Sequence, residues 1–144
     1  MVTGLLPTPT PEVQTAVISA AHSYGLVAVA HAFAQKDTLT ILKAGVDGLA
    51  HCFFDEPPTA ELVEAYKQNN AFVVPTLTIA ASLMSEEEES REEHVKHELA
   101  EKLLDEAERT CLCEKFLVTN KACKIEHAYQ AVRMLKDAGL DVVV

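Results

Sequence analysis

Two histidines, His31 and His51, stand at matching places in the chain. Each follows a glycine by six residues, Gly25 before His31 and Gly45 before His51. Each also closes a short run, apolar over Leu26–Ala30 in one case and largely apolar over Val46–Ala50 in the other. Apolar runs of that length read as buried strands, so both imidazoles would stand at the carboxyl ends of neighbouring strands. In parallel α/β folds that edge gathers ligands and catalytic groups. Two neutral imidazoles there could share a divalent cation, zinc being the metal most often held this way. A hydrogen-bonded histidine at a strand tip is the plainer alternative, and the spacing by itself leaves both readings open.

The elements that would position the pair form a repeat. Thr10 and Pro11 are suited to the cap and first turn of a helix, with Val13, Ala16, Val17, Ala20 and Ala21 following at helical spacing. Gly25 ends it. Asp37–Ala44 reads as a second helix ending at Gly45, and Thr59–Asn69 as a third, with Asn70 as a left-handed stop in place of glycine. Ala71–Val74 is then a strand, followed by Pro75 and Thr76. A fourth helix starts near His127, carries Ala128, Ala131, Val132 and Leu135 in register and stops at Gly139, before the strand Leu140–Val144. Helix, stop, short apolar strand and loop recur four times, which implies an α/β fold with a parallel sheet.

The stretch 77–126 interrupts this repeat. Leu99, Leu103, Leu104 and Ala107 suggest one amphipathic helix within it. We read it as a helical insertion after the third of these strands, placed to form a rim or lid. Of the net charge of −10, −7 falls between Glu86 and Arg109. Phosphate binding needs clustered Lys and Arg, so nucleic acid is not an expected partner, and an acidic membrane surface would repel the chain. No apolar run reaches the ~20 residues of a membrane span. The start of the chain, MVTGLLPTPTP, lacks the basic region of a secretory signal, so a cytoplasmic location is expected. Cys52, Cys111, Cys113 and Cys123 show no CxxC spacing and read as free thiols.

Other candidate groups carry less. His94 and His97 fall three apart on one expected helix face, in a stretch so charged that a solvated surface is the better reading. His22 lies near a helix end and His127 near a helix start, both without assigned chemistry. No GxSxG, GxGxxG or GxxxxGK[ST] pattern occurs, so serine-hydrolase and nucleotide-binding readings lack support.

Three segments, VAVAHAF, AGVDGLAHCFFDEP and AFVVPTLT, together resemble the amidohydrolase superfamily, in its imidazolonepropionase and prolidase-like branch. The resemblance covers about residues 8–80 and 127–144. It implies a (β/α)₈ TIM-type barrel of which this chain, as a single partial domain over 1–144, supplies strands five to eight. It further implies that His31 and His51 are metal ligands in a centre of one or two divalent ions, zinc above all, and that Thr76 with the loop behind it borders the substrate. The activity implied is hydrolysis of a C–N bond in an amide, peptide or cyclic amide by a metal-activated water.

Several family features have no counterpart here: the HxH pair of the first strand, the bridging Lys or acid of the fourth, and the Asp of a GTDA-like turn after the eighth. Asp141 lies too early, inside the expected strand. The expectation is therefore a fragment, truncated at both ends and inactive alone. Two rival readings stand beside it: a non-catalytic α/β module whose acidic helix binds a basic partner, and a half-barrel that associates with another copy or subunit through its open strand edges.

Overall fold

A computed structural model describes residues 8–83, 95–113 and 122–143. In chain order it contains α1 (Pro11–Ser23), β1 (Val29–His31), α2 (Gln35–Lys43), β2 (Gly48–Ala50), α3 (Ala60–Asn69), β3 (Phe72–Val74), α4 (Leu77–Ser82), α5 (Glu98–Leu103), α6 (Glu106–Cys113) and α7 (Ile125–Asp137). The three strands form one parallel sheet in the order β1-β2-β3. This is an α/β arrangement; the described residues do not close a barrel.

All four expected helix stops take the same form. Gly25, Gly45, Asn70 and Gly139 have φ of 69°, 95°, 48° and 77°, the left-handed region that glycine enters freely and asparagine tolerates. After each, the next N–H reaches five residues back to a helix carbonyl: Leu26 to Ala21, Val46 to Ile41, Ala71 to Tyr66 and Leu140 to Leu135. These Schellman closures satisfy carbonyls that the helix end leaves orphaned. They also turn the chain directly into the following strand. At the other end of α1, Thr10 accepts weakly from Val13 N at 3.5 Å, with Pro11 in the first turn.

Side chains alternate along each strand. Leu49 and Val73 lie on the covered side, each 1% exposed, in a core with Leu42, Val46, Leu62, Phe53 and Leu135 from the helices and the loops around β2. The other side carries Val29, His31, Ala50, Phe72 and Val74, all partly or fully exposed. The strands are thus covered on one side among the described residues, not on both as their apolar character suggests.

The turn AGVD before β2 is tied together by its own residues. Gly45 supplies the stop, and Val46 is buried. Asp47 accepts from Ala28 N at 2.7 Å and pairs with His22 Nε2 at 2.8 Å. The Ala28 bond, more than the histidine, holds this carboxyl below its ordinary pKa range. At Gly48 a Cβ would lie 2.3 Å from the Phe72 ring, so any larger residue requires that ring to shift.

Four expectations need correction. The strands are three residues each, shorter than the apolar runs. Leu140–Val144 is no full strand among the described residues: only Val142 bridges Val73, because the ladder ends after Val73 N bonds Asp141 O and Val143 N bonds Val73 O. The stripe on α1 is not buried, with Val13 50% and Val17 63% exposed; Ile18 is the helix's buried residue. The single helix drawn through Leu99–Ala107 is two, α5 and α6. Asp105 and Glu108 exchange backbone-to-carboxylate bonds of 2.9 and 2.8 Å, a capping box that starts α6 and breaks the run at Leu104. His97 caps α5 through Nδ1 at 3.2 Å from Leu99 N; His94 lies outside the described residues. Cys52, Cys111 and Cys123 are free; the side chain of Cys113 lies outside the described part. No described helix is long and apolar enough to cross a membrane.

Candidate metal centre

His31 ends β1, and His51 follows β2 directly. The two are not level in the sheet: His31 pairs with Ala50, so His51 sits one step further along. Regular alternation would send the two side chains to opposite faces. His51 escapes it by taking φ 76°, a conformation uncommon for a residue with a Cβ. The two rings then approach to 4.8 Å between centroids at an interplanar angle of 52°.

The His51 ring has two further partners. Phe33 stacks on it at 4.4 Å and 15°, and Phe33 itself tilts against Phe54 at 5.7 Å. Nδ1 of His51 lies 2.6 Å from Oγ1 of Thr76, while its backbone N–H bonds Val74 O at 2.8 Å. Partial burial, and secondarily the nearby His31, hold the His51 imidazole below its ordinary pKa. That favours the neutral form, which is the form that binds a metal.

The loop after β2 is fixed from below. Buried Gln35 donates through Nε2 to Pro57 O at 2.8 Å, accepts from Thr59 N at 2.9 Å, and sends its backbone N–H to Asp55 at 3.0 Å. Lys124 N reaches Phe54 O at 2.8 Å, and His127 Nδ1 lies 3.2 Å from the same carbonyl. His127 is therefore a loop anchor. Cys52, whose thiol pKa is pushed up to about 12 by burial, is a packing residue. Neither the His127 contact nor the pairing of His22 with Asp47 has a signal in the sequence, since each joins residues 25 or more apart.

Of the expected site residues, His31, His51 and Thr76 come together. No group of three or more His, Cys, Asp or Glu suited to a metal exists among the described residues. The pair is thus chemically suited to a divalent ion but supplies only two donors, whereas a catalytic zinc takes about three plus water.

No protein-family model and no curated protein matches the chain. Among solved structures it is similar to a Xaa-Pro dipeptidase crystallised with methionine bound in the active site. The TM-score is 0.58 at 23% identity, over 98% of this chain and 29% of that one. The chain shares the fold of that portion and spans less than a third of the dipeptidase's length.

Proposed function

We propose that this chain is the portion of a metal-dependent hydrolase of C–N bonds that supplies two of the metal-binding histidines. The observation that carries the reading is the convergence of His31 and His51, 4.8 Å apart, at the carboxyl tips of adjacent parallel strands. It is supported by the left-handed backbone that turns His51 toward its neighbour, and by the shared fold with a peptidase.

The spacing of the stops supports the barrel reading. Gly25 lies four residues before Val29, Gly45 three before that residue's partner Gly48, and Asn70 two before the next partner, Phe72. Equivalent points thus advance by one residue per strand, the stagger that eight strands with a shear of about 8 require. The advance stops at the last pairing, where Asn70 and Gly139 each lie three residues before the bridged Val73 and Val142.

In this reading His31 and His51 hold a divalent cation, most suitably zinc, which when bound polarises the scissile carbonyl and acidifies a water. Thr76 and α4 border the substrate, and the insertion 77–126, of which 84–94 and 114–121 lie outside the described residues, is assigned to the rim of the site. The test is Zn²⁺ uptake by the purified protein, with His31→Ala and His51→Ala each expected to abolish it. Uptake unchanged in both variants would remove the basis of the proposal.

A second reading, action through association, has its own observation. Leu26, Val27 and Val29 beside the open edge of β1, with Val13 and Val17 on α1, are all at least half exposed. Association with a second copy would cover such an edge. A folded monomer at all concentrations in gel filtration would argue against it.

A further inference from the structure

We propose that Thr76 is the positioning residue for His51, setting the ring so that Nε2 is the nitrogen offered to a divalent cation. The proposal rests on the metal-binding reading above and goes beyond it by giving Thr76 a task other than contact with substrate.

Thr76 occupies the N-cap of α4. There a threonine hydroxyl ordinarily accepts from a backbone N–H of the first turn. Thr76 makes no such bond. Its Oγ1 lies instead 2.6 Å from His51 Nδ1. Its backbone is also left-handed, φ 46° and ψ 47°, which is rare for a β-branched residue. Among the described residues three besides glycine have positive φ: His51, Asn70 and Thr76. Asn70 is a helix stop. The remaining two bond to each other. Backbone strain of this kind persists where the surroundings impose it and concentrates at functional sites.

The ring is fixed in two independent ways. Stacking on Phe33 at 15° sets its plane. The Thr76 bond sets its rotation within that plane, so the opposite edge, Nε2, is left free of the hydroxyl. A hydroxyl suits the task because it can donate or accept. Without a cation either direction holds the ring. With a cation on Nε2, Nδ1 keeps its proton and the hydroxyl accepts the hydrogen bond. Such a bond to the non-ligating nitrogen fixes the tautomer and orientation of a ligand histidine.

The experiment uses the 144-residue chain, labelled with ¹⁵N at histidine and titrated with Zn²⁺ under long-range ¹H–¹⁵N NMR. In the wild type, Zn²⁺ is expected to move the Nε2 resonance of His51 while Nδ1 stays protonated. Thr76→Val is expected to weaken Zn²⁺ binding roughly 10- to 100-fold without lowering the thermal midpoint, and Thr76→Ser to restore most of it. A purely structural threonine would shift the midpoint and leave the ligating nitrogen and the affinity alone. Wild-type affinity in Thr76→Val, or Zn²⁺ on Nδ1, overturns the role of Thr76 only. A wild type that takes up no Zn²⁺ overturns the metal-binding reading and this proposal with it.

Discussion

His31 and His51 face each other across 4.8 Å although they sit one residue out of step in the sheet. The pairing depends on the positive φ of His51 rather than on matched strand positions. The equal six-residue spacing from Gly25 and Gly45 therefore works through a stagger: the second strand is offset by one residue, and a backbone twist at its tip restores the common direction.

The two-donor site makes a first prediction. The metal-loaded 144-residue chain should not turn over dipeptides or acyl amino acids, because the described residues bring no group of three or more donors together, too few to activate a water adequately. Hydrolysis by the purified protein that disappears in His31→Ala would refute this.

Gly48→Ala should destabilise the fold by about 1–3 kcal/mol, the usual range for overpacking, because the new methyl would meet the Phe72 ring at 2.3 Å. Phe72→Leu in the same chain should recover part of the loss. Urea unfolding measures both, and a Gly48→Ala protein as stable as the parent would show that the ring moves aside freely.

Stability should fall in acid through Asp47. Its folded pKa lies below the ordinary value, chiefly through the Ala28 N–H and less through His22. A depressed carboxyl stabilises the fold above its unfolded pKa, near ~3.9, and that contribution is lost as pH drops through the lower, folded value. At neutral pH Asp47→Asn should cost about 0.5–1 kcal/mol, kept small by solvent exposure. The gap between the two proteins should close as the pH falls below that ordinary carboxylate value of ~3.9. Parallel urea curves at every pH would contradict this assignment.

Thiol labelling should separate the cysteines. Cys111 is exposed, whereas Cys52 is 3% exposed with its pKa pushed up to about 12. A native protein treated at pH near the free-thiol value of ~8.5 should be modified at Cys111 and protected at Cys52 until denaturant is added. Rapid native labelling of Cys52, located by peptide mapping, would mean that the core opens easily.

What the sequence reveals here is mostly local. Each stop could be read because a left-handed residue after a helix has to be glycine or, at Asn70, a close substitute. The helices followed from apolar spacing, and the histidine pair from its distance to the stops. Strand length could not be read, since an apolar run does not say where a neighbour's ladder ends. The break at Leu104 had a signal, the Asp105–Glu108 capping box, which the apolar spacing around it obscured. The left-handed turn at His51 had none: histidine seldom adopts it, and the residues that hold it, Thr76 and Phe33, lie elsewhere in the chain.

The four Schellman closures carry a practical consequence for engineering. Each is completed within six consecutive residues and draws on nothing distant. Cutting, permuting or grafting the chain in the loop between a strand tip and the next helix should leave the closures intact. Adding or deleting a single residue between a closure and its histidine should instead swing that imidazole to the far side of the sheet, so the tolerance of this protein to length changes is set by whether they fall before or after the strand tip.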